Sequence, residues 1–91
     1  MQLGMVGLGR MGANMVRRLI RGGHECVVYD RGAENVQALV KEGATGSANF
    51  GELVAKLKGP RTIWLMIPAG AVDATLAELV PHLAKDDIVI D

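Results

Sequence analysis

The sequence predicts a single α/β domain in which helices cover both faces of a parallel sheet. Short apolar runs alternate with longer segments whose apolar residues recur at helical spacing. A glycine-rich turn over residues 7–12 joins the first apolar run to the first helical segment. An acidic residue, Asp30, follows the second apolar run. These three observations are typical of a Rossmann-type, doubly wound sheet with strand order 3-2-1-4-5.

The first half of the chain predicts a strand, a helix and a second strand. The first strand is expected at Leu3–Val6, and the second at Cys26–Tyr29, a continuous apolar run suited to a strand covered on both faces. Between them, apolar residues from Met11 to Ile20 fall on one face of a helix. The pair Gly22-Gly23 is expected to end that helix.

The second half predicts three more helices and the remaining strands. Asn49 and Glu52 have the spacing of an N-cap and the third helical residue, and Pro81 is expected to kink the last helix. The predicted elements are a helix over about 33–42, a short extended link or weak third strand over 43–46, a helix from Asn49 that Gly59-Pro60 closes, a fourth strand over 62–67, a helix over 72–83 and a fifth strand over 88–90.

The chain stops one residue after the fifth predicted strand. No helix is left to cover that strand, and ligands in such sheets bind beyond the carboxyl ends of the strands. We therefore expect residues 1–91 to be an incomplete dinucleotide-binding domain, truncated after the fifth strand. The substrate-binding, helical domain is expected to be absent from this chain.

Composition excludes several classes of function. The formal net charge is zero, which argues against an electrostatic nucleic-acid binder. No apolar run reaches the ~18–20 residues of a membrane span, and no basic leader precedes the first strand. The lone cysteine, Cys26, is expected to be a small buried hydrophobe in a reducing compartment. We therefore expect a cytoplasmic domain with neither a nucleic-acid nor a membrane partner.

The turn over residues 7–12, which we call the glycine loop, has the pattern G-x-G-x-x-G. In this pattern Gly7 permits a tight turn out of the strand, Gly9 lets a diphosphate approach the backbone, and Gly12 allows close packing of the helix against the sheet. Free N–H groups at the helix N-terminus then bind the diphosphate without a charged side chain. The loop therefore predicts a nucleotide site.

Asp30 and Arg31 follow the second predicted strand, at the position that contacts the cofactor ribose. A carboxylate there accepts hydrogen bonds from ribose hydroxyls and repels a 2′-phosphate, which favours NAD. The guanidinium of Arg31 could instead pair with a 2′-phosphate. We predict NAD, with NADP as the less favoured cofactor.

Met66, Ile67 and Pro68 lie at the end of the fourth predicted strand and in the turn after it, next to the first strand across the switch point of the sheet. The proline holds the backbone in a non-helical course before the next helix. We expect this segment to border the nicotinamide-ribose half of the cofactor.

The sequence predicts neither a catalytic residue nor a metal site. No metal-ligand spacing appears, and no Ser/His/Asp set can be assembled. His24 and His82 have no partner nearby in sequence, so we expect both to be solvated or locally hydrogen-bonded.

The chain resembles the 6-phosphogluconate dehydrogenases over essentially its whole length. The likeness lies in five stretches that occur in the same order: 5–15, 23–31, 43–44, 65–73 and 87–91. Many family members carry an Asn-Arg-Thr run that recognises the 2′-phosphate, whereas this chain has Asp30-Arg31-Gly32. That departure resembles the shorter bacterial branch associated with NAD.

The resemblance implies oxidative decarboxylation of 6-phosphogluconate to ribulose 5-phosphate and carbon dioxide, a step of the pentose phosphate pathway. It also implies a homo-oligomer formed through the missing C-terminal domain. Because the family's Gly-Gly-Asn-Ser segment and lysine general base lie beyond Asp91, no catalytic residue is expected here. The implied cofactor-binding residues are Gly7, Leu8, Gly9, Arg10, Met11, Gly12, Asp30, Arg31, Gly32, Met66, Ile67 and Pro68.

Three other classes of protein are compatible with the glycine loop. A β-hydroxyacid dehydrogenase shares both the loop and the pair Asn14-Met15. A non-catalytic NAD-sensing module, such as the regulatory domain of an ion transporter, would have a membrane protein as its partner. An S-adenosylmethionine methyltransferase also uses a glycine-rich first loop but does not bind a dinucleotide diphosphate.

Overall fold

The computed structural model describes residues 1–91 and contains one five-stranded parallel sheet of order β3-β2-β1-β4-β5. This topology confirms the predicted Rossmann-type fold. The central strand β1 pairs with both β2 and β4, so that Gly4 lies between Val27 and Ile63. The strands are β1 (Gln2–Val6), β2 (Glu25–Tyr29), β3 (Thr45–Gly46), β4 (Thr62–Leu65) and β5 (Ile88–Ile90).

Four α-helices cover the two faces of the sheet and bury a separate apolar core on each. One core joins Met5 and Val28 of the sheet to residues of the first two helices, such as Val16 and Leu39. The other joins the opposite face of the sheet to the last two helices. The helices are α1 (Arg10–Arg21), α2 (Ala33–Val40), α3 (Phe50–Lys56) and α4 (Val72–Leu79). None of them has the length and apolar character that crossing a membrane requires.

Several helices and strands end earlier than predicted. The last helix does not bend and continue at Pro81: α4 ends at Leu79, and a 3₁₀ turn over Val80–His82 follows. Proline lacks the N–H that would extend the α-helical hydrogen bonds, which explains the early end. Strand β4 ends at Leu65 rather than at Ile67. The other two early ends are those of α2, at Val40, and of α3, at Lys56.

Cys26 is buried in the middle of β2, as predicted. Burial raises the pKa of its thiol above the ordinary value, and the neighbouring charge of Glu25 adds to the effect. The thiol is therefore an inert part of the core at neutral pH.

His24 lies just before this strand. Its Nδ1 is neither solvated nor hydrogen-bonded, because that atom is buried without a partner.

A buried carboxylate attaches the edge strand β5 to the rest of the sheet. Asp87 accepts hydrogen bonds from the backbone N–H groups of Arg61 (2.7 Å) and Ala84 (2.8 Å) and from Nη1 of Arg61 (3.2 Å). The Asp87 side chain is only 1% exposed. The guanidinium of Arg61 also donates to Val54 O at 2.9 Å, near the end of α3. This ion pair therefore joins β5, β4 and α3.

Asp87→Asn is expected to lower the thermal midpoint at neutral pH. The N–H groups of Ala84 and Arg61 and the nearby guanidinium hold the pKa of Asp87 below its ordinary value. Its charged form therefore stabilises the fold above the unfolded-state pKa of about 3.9, and this stabilisation is lost as the pH falls through the folded-state pKa. The midpoint difference between wild type and variant should shrink in acid, as thermal melts across pH will show.

The exposed neighbour Asp86 accepts no such hydrogen bonds, so Asp86→Asn is the matched control. A midpoint difference for Asp87→Asn that stays constant down to low pH would contradict this role of the carboxylate.

Candidate cofactor site

The glycine loop begins with a turn at Gly7 that only glycine accommodates without strain. Its φ is +96°, and its N–H donates to Tyr29 O at 2.9 Å. A Cβ at Gly7 would overlap the carbonyl oxygen of Met66 and lie 2.8 Å from its carbonyl carbon. The turn therefore brings the end of β1 against the segment that follows β4.

Gly12, in the first turn of α1, packs against the glycine loop itself. A Cβ there would overlap the carbonyl oxygen of Gly7 and lie 3.3 Å from Cβ of Met66. The absence of a side chain at Gly12 thus allows α1 to start directly above the loop. This contact involves the loop and Met66 rather than the sheet as a whole.

Gly9 differs from these two glycines because no neighbouring protein atom would clash with a side chain at this position. It is exposed, and a Cβ on it would meet no atom within 4 Å. Gly9 is the N-cap of α1, and that helix end has neither a side-chain cap nor an acidic residue in its first turn. Its N-terminal N–H groups are therefore open to an anion such as a diphosphate.

Asp30, directly after β2, connects the glycine loop to the start of α2. Its Oδ1 accepts from Leu8 N at 2.8 Å, and its Oδ2 accepts from Gly32 N at 2.8 Å and Asn35 Nδ2 at 3.0 Å. Partial burial alone would raise the pKa of the Asp30 carboxyl. The hydrogen bonds from the Asn35 amide and two backbone N–H groups outweigh this effect and hold the pKa below its ordinary value. The carboxylate is therefore charged at neutral pH.

A cleft of about 410 Å³ opens at the carboxyl ends of β1, β2 and β4. Its volume lies within the range of ligand pockets, which is about 300–1,000 Å³. Most of the predicted residues meet there: Gly7, Gly9, Asp30, Arg31, Met66, Ile67 and Pro68 line this cleft. The N-terminus of α1, at Gly9, and Asp30 thus border the same cleft, which is large enough for a ligand.

The other predicted residues lie outside the cleft lining. The side chain of Leu8 is buried in the core and Gly12 has no side chain, so both could contact a ligand only through backbone atoms. Gly32 donates its N–H to Asp30. Arg10 and Met11 line a separate shallow cavity on the outer face of α1.

The expectation that Met11 belongs to the apolar face of α1 is wrong. Met11 is 67% exposed, whereas Gly12, Ala13 and Val16 form the buried stripe. At 3.6 residues per turn, Met11 lies about 140° around the helix from Val16, which places it outside that stripe. Its apolar character was therefore no guide to its burial.

The cleft also contains residues that the sequence did not single out. Thr75 and Glu78 of α4 line it, as do Tyr29 and Phe50, which pack edge-on with ring centroids 4.8 Å apart. Thr75 carried a usable signal, because it lies four residues before the buried Leu79 and is a polar residue on an apolar face. Whether that face borders a cleft depends on how α4 packs.

The parallel sheet, the open N-terminus of α1 and the carboxylate after β2 define a dinucleotide-binding domain. Comparison with known sequences makes the assignment more specific, because the NAD binding domain of 6-phosphogluconate dehydrogenase matches residues 2–91. The chain belongs to this family.

Individual relatives agree with the family assignment. The chain is 51% identical over 92 residues to the NAD⁺-dependent, decarboxylating 6-phosphogluconate dehydrogenase of Haloferax volcanii, covering 100% of this chain and 31% of the relative. It is 39% identical over 95 residues to the NADP⁺-dependent enzyme of Bacillus subtilis, covering 99% and 20%. The Plasmodium falciparum 6-phosphogluconate dehydrogenase structure has a TM-score of 0.89 at 31% identity, covering 100% and 21%. The chain thus spans between a fifth and a third of the length of these relatives.

Proposed function

We propose that this chain binds NAD in the cleft, as the cofactor domain of a cytoplasmic 6-phosphogluconate dehydrogenase. The observation that carries the proposal is the shared cleft, which brings the uncapped N-terminus of α1 and the charged Asp30 together. The names of the relatives support the reaction, which is oxidative decarboxylation of 6-phosphogluconate to ribulose 5-phosphate.

The chain's own residues hold and orient the cofactor in this proposal. Helix N–H groups near Gly9 bind the diphosphate, Asp30 accepts a ribose hydroxyl, and the Met66–Pro68 segment borders the nicotinamide ribose. Bound NAD⁺ supplies a hydride acceptor for the substrate carbon. The twelve residues named above, from Gly7 to Pro68, are the proposed cofactor site. Of these residues, Arg10, Met11 and Gly32 do not line the cleft and are proposed to contact the cofactor from its margin.

The remaining functions are proposed to lie outside these 91 residues, because the relatives are several times as long. Substrate binding, catalysis and self-association belong to the rest of the protein. A β-hydroxyacid dehydrogenase and a non-catalytic NAD sensor are both less well supported, since these relatives are named as 6-phosphogluconate dehydrogenases.

NAD is proposed over NADP because Asp30 presents a negative charge where a 2′-phosphate would lie. The 51%-identical relative is named as NAD⁺-dependent and supports this choice. Calorimetric titration of the chain with NAD and with NADP tests this choice directly.

The proposed reaction is tested with the natural full-length protein, which is assayed with 6-phosphogluconate by following the formation of reduced cofactor and carbon dioxide. If the chain binds neither NAD nor NADP, the proposal is wrong.

Asp30→Asn is expected to shift the ratio of NADP to NAD affinity toward NADP by about tenfold, because the like-charge repulsion disappears. An asparagine can still accept the hydrogen bond from Leu8 N–H, which keeps the glycine loop attached. Asp73→Asn, in the first turn of α4 and outside the cleft lining, is the matched control. An unchanged NADP/NAD ratio in the Asp30 variant, measured by calorimetry, would refute the assignment of Asp30 to the ribose.

A further inference from the structure

Asn35, an exposed residue in the first turn of α2, contacts the carboxylate that the proposed site depends on. Its Nδ2 donates to Oδ2 of Asp30 at 3.0 Å. The backbone N–H of Gly32 donates to the same oxygen at 2.8 Å. No side chain caps α2 at its N-cap residue, Gly32, and these two contacts join the start of the helix to Asp30.

The hydrogen bonds leave the two oxygens of Asp30 unequal. A carboxylate offers roughly two acceptor positions on each oxygen. Oδ2 receives two donors, from Gly32 and Asn35, whereas Oδ1 receives only the N–H of Leu8. The protein therefore saturates Oδ2 and leaves one acceptor position free on Oδ1.

We propose that Asn35 is a positioning residue for cofactor selection: it holds Oδ2 of Asp30 so that Oδ1 is presented to a ribose hydroxyl. This inference rests on the proposed function, since it names how the same site recognises its ligand. Asn35 touches Asp30 rather than the cofactor.

The same contacts work against a cofactor with a 2′-phosphate. A phosphate bound at the start of α2 would need free N–H donors there, as anions at helix N-termini do. The Gly32 N–H is donated to Asp30 instead, and so is one of the two N–H groups of the Asn35 amide. Asn35 thus favours NAD mainly by orienting the ribose acceptor, because its second amide N–H is not used on Asp30.

Other charged groups around Asp30 come from three helices and one loop. They are Arg31 beside it in the chain, Glu34 of α2, Glu52 of α3 and Glu78 of α4. All of them stay unchanged when Asn35 is replaced. A shift in the pH dependence of binding can therefore be assigned to the lost hydrogen bond.

The test measures NAD and NADP dissociation constants for wild type and Asn35→Ala by calorimetry at several pH values. We expect the NAD dissociation constant to rise about fivefold, because one hydrogen bond to a charged group is lost at a partly exposed site. The NADP dissociation constant should rise by less. We also expect the acid limb of NAD binding to move to higher pH. Without the Asn35 hydrogen bond, Asp30 should take up a proton more readily.

Gln37→Ala is the matched control, because it removes an exposed amide from the same helix without touching Asp30. Equal changes in Asn35→Ala and Gln37→Ala, or an unmoved acid limb, would overturn the role of Asn35 while leaving NAD binding intact. If wild type binds no NAD, the proposed function fails and the positioning role fails with it.

A second variant, Asn35→Asp, covers the case in which the alanine variant does not fold. Its carboxylate suits the first turn of a helix, so α2 should remain stable. It loses the amide donor and places a negative charge beside Asp30, so NAD affinity should fall by about tenfold. Wild-type NAD affinity in Asn35→Asp would overturn the proposal.

Discussion

Gly7→Ala is expected to destabilise the fold more than any other single substitution considered for this chain. The positive φ of Gly7 costs an alanine about 1–2 kcal/mol. In addition, the new Cβ would overlap the carbonyl of Met66, which is backbone and cannot rotate away as a side chain would. We expect a loss of about 3–5 kcal/mol, a large share of a typical total of 5–15 kcal/mol. Denaturant unfolding monitored by circular dichroism measures it.

Gly70→Ala is the control for this substitution. Gly70 lies in the 3₁₀ turn after β4, and a Cβ on it would meet nothing within 4 Å. We expect its free energy of unfolding to stay within about 0.5 kcal/mol of wild type. If Gly7→Ala is as stable as Gly70→Ala, the contact between the glycine loop and Met66 is not what holds these two segments together.

Gly9→Ala is expected to have the opposite profile, with stability retained and NAD binding lost. The φ of Gly9 is −65° and the space around it is open, so an alanine fits without strain. Such a replacement can even stabilise a protein by about 0.4–1 kcal/mol by restricting the unfolded chain. The added methyl group would occupy the space where the diphosphate approaches the backbone. We expect the NAD dissociation constant to rise by at least about tenfold, since poor contact with the helix N–H groups loses charge-assisted hydrogen bonds.

Calorimetry with NAD, beside a thermal melt of the same sample, separates these two effects. Gly70→Ala again serves as the control, and we expect it to bind NAD as wild type does. Undiminished affinity in Gly9→Ala would place the diphosphate elsewhere in the cleft.

The sheet was predictable because its determinants are local. Apolar runs, helical periodicity and the turn at Gly7 can each be recognised within a few residues. The order 3-2-1-4-5 was then predicted from the glycine loop, because a doubly wound sheet that begins with such a loop has this order. The predictions were least accurate where tertiary packing decides. Thus Met11 matched the apolar periodicity of α1 but lies past the buried stripe, and Pro81 ended a helix that the pattern continued.

That Gly9 and Asp30 line one cleft was predictable, because both belong to a local pattern that fixes where they stand in the fold. The contact between Asn35 and Asp30 was not predictable, because no local pattern indicates it. In the sequence Asn35 is an ordinary amide residue, and it was singled out only because of its 3.0 Å contact with Asp30. The place of Glu78 in the cleft likewise depends on where α4 lies relative to β4.

The central position of β1 constrains the order in which the chain can assemble during synthesis. It is made before the other four strands of this sheet, yet one of its two partners, β4, begins only at Thr62. Until then, β1 can pair with β2 alone, and its other row of backbone N–H and C=O groups stays unpaired. An open strand edge of this kind is prone to wrong pairing with other chains. In the nascent chain, the unpaired edge therefore belongs to β1, the strand that becomes the central one of the folded sheet.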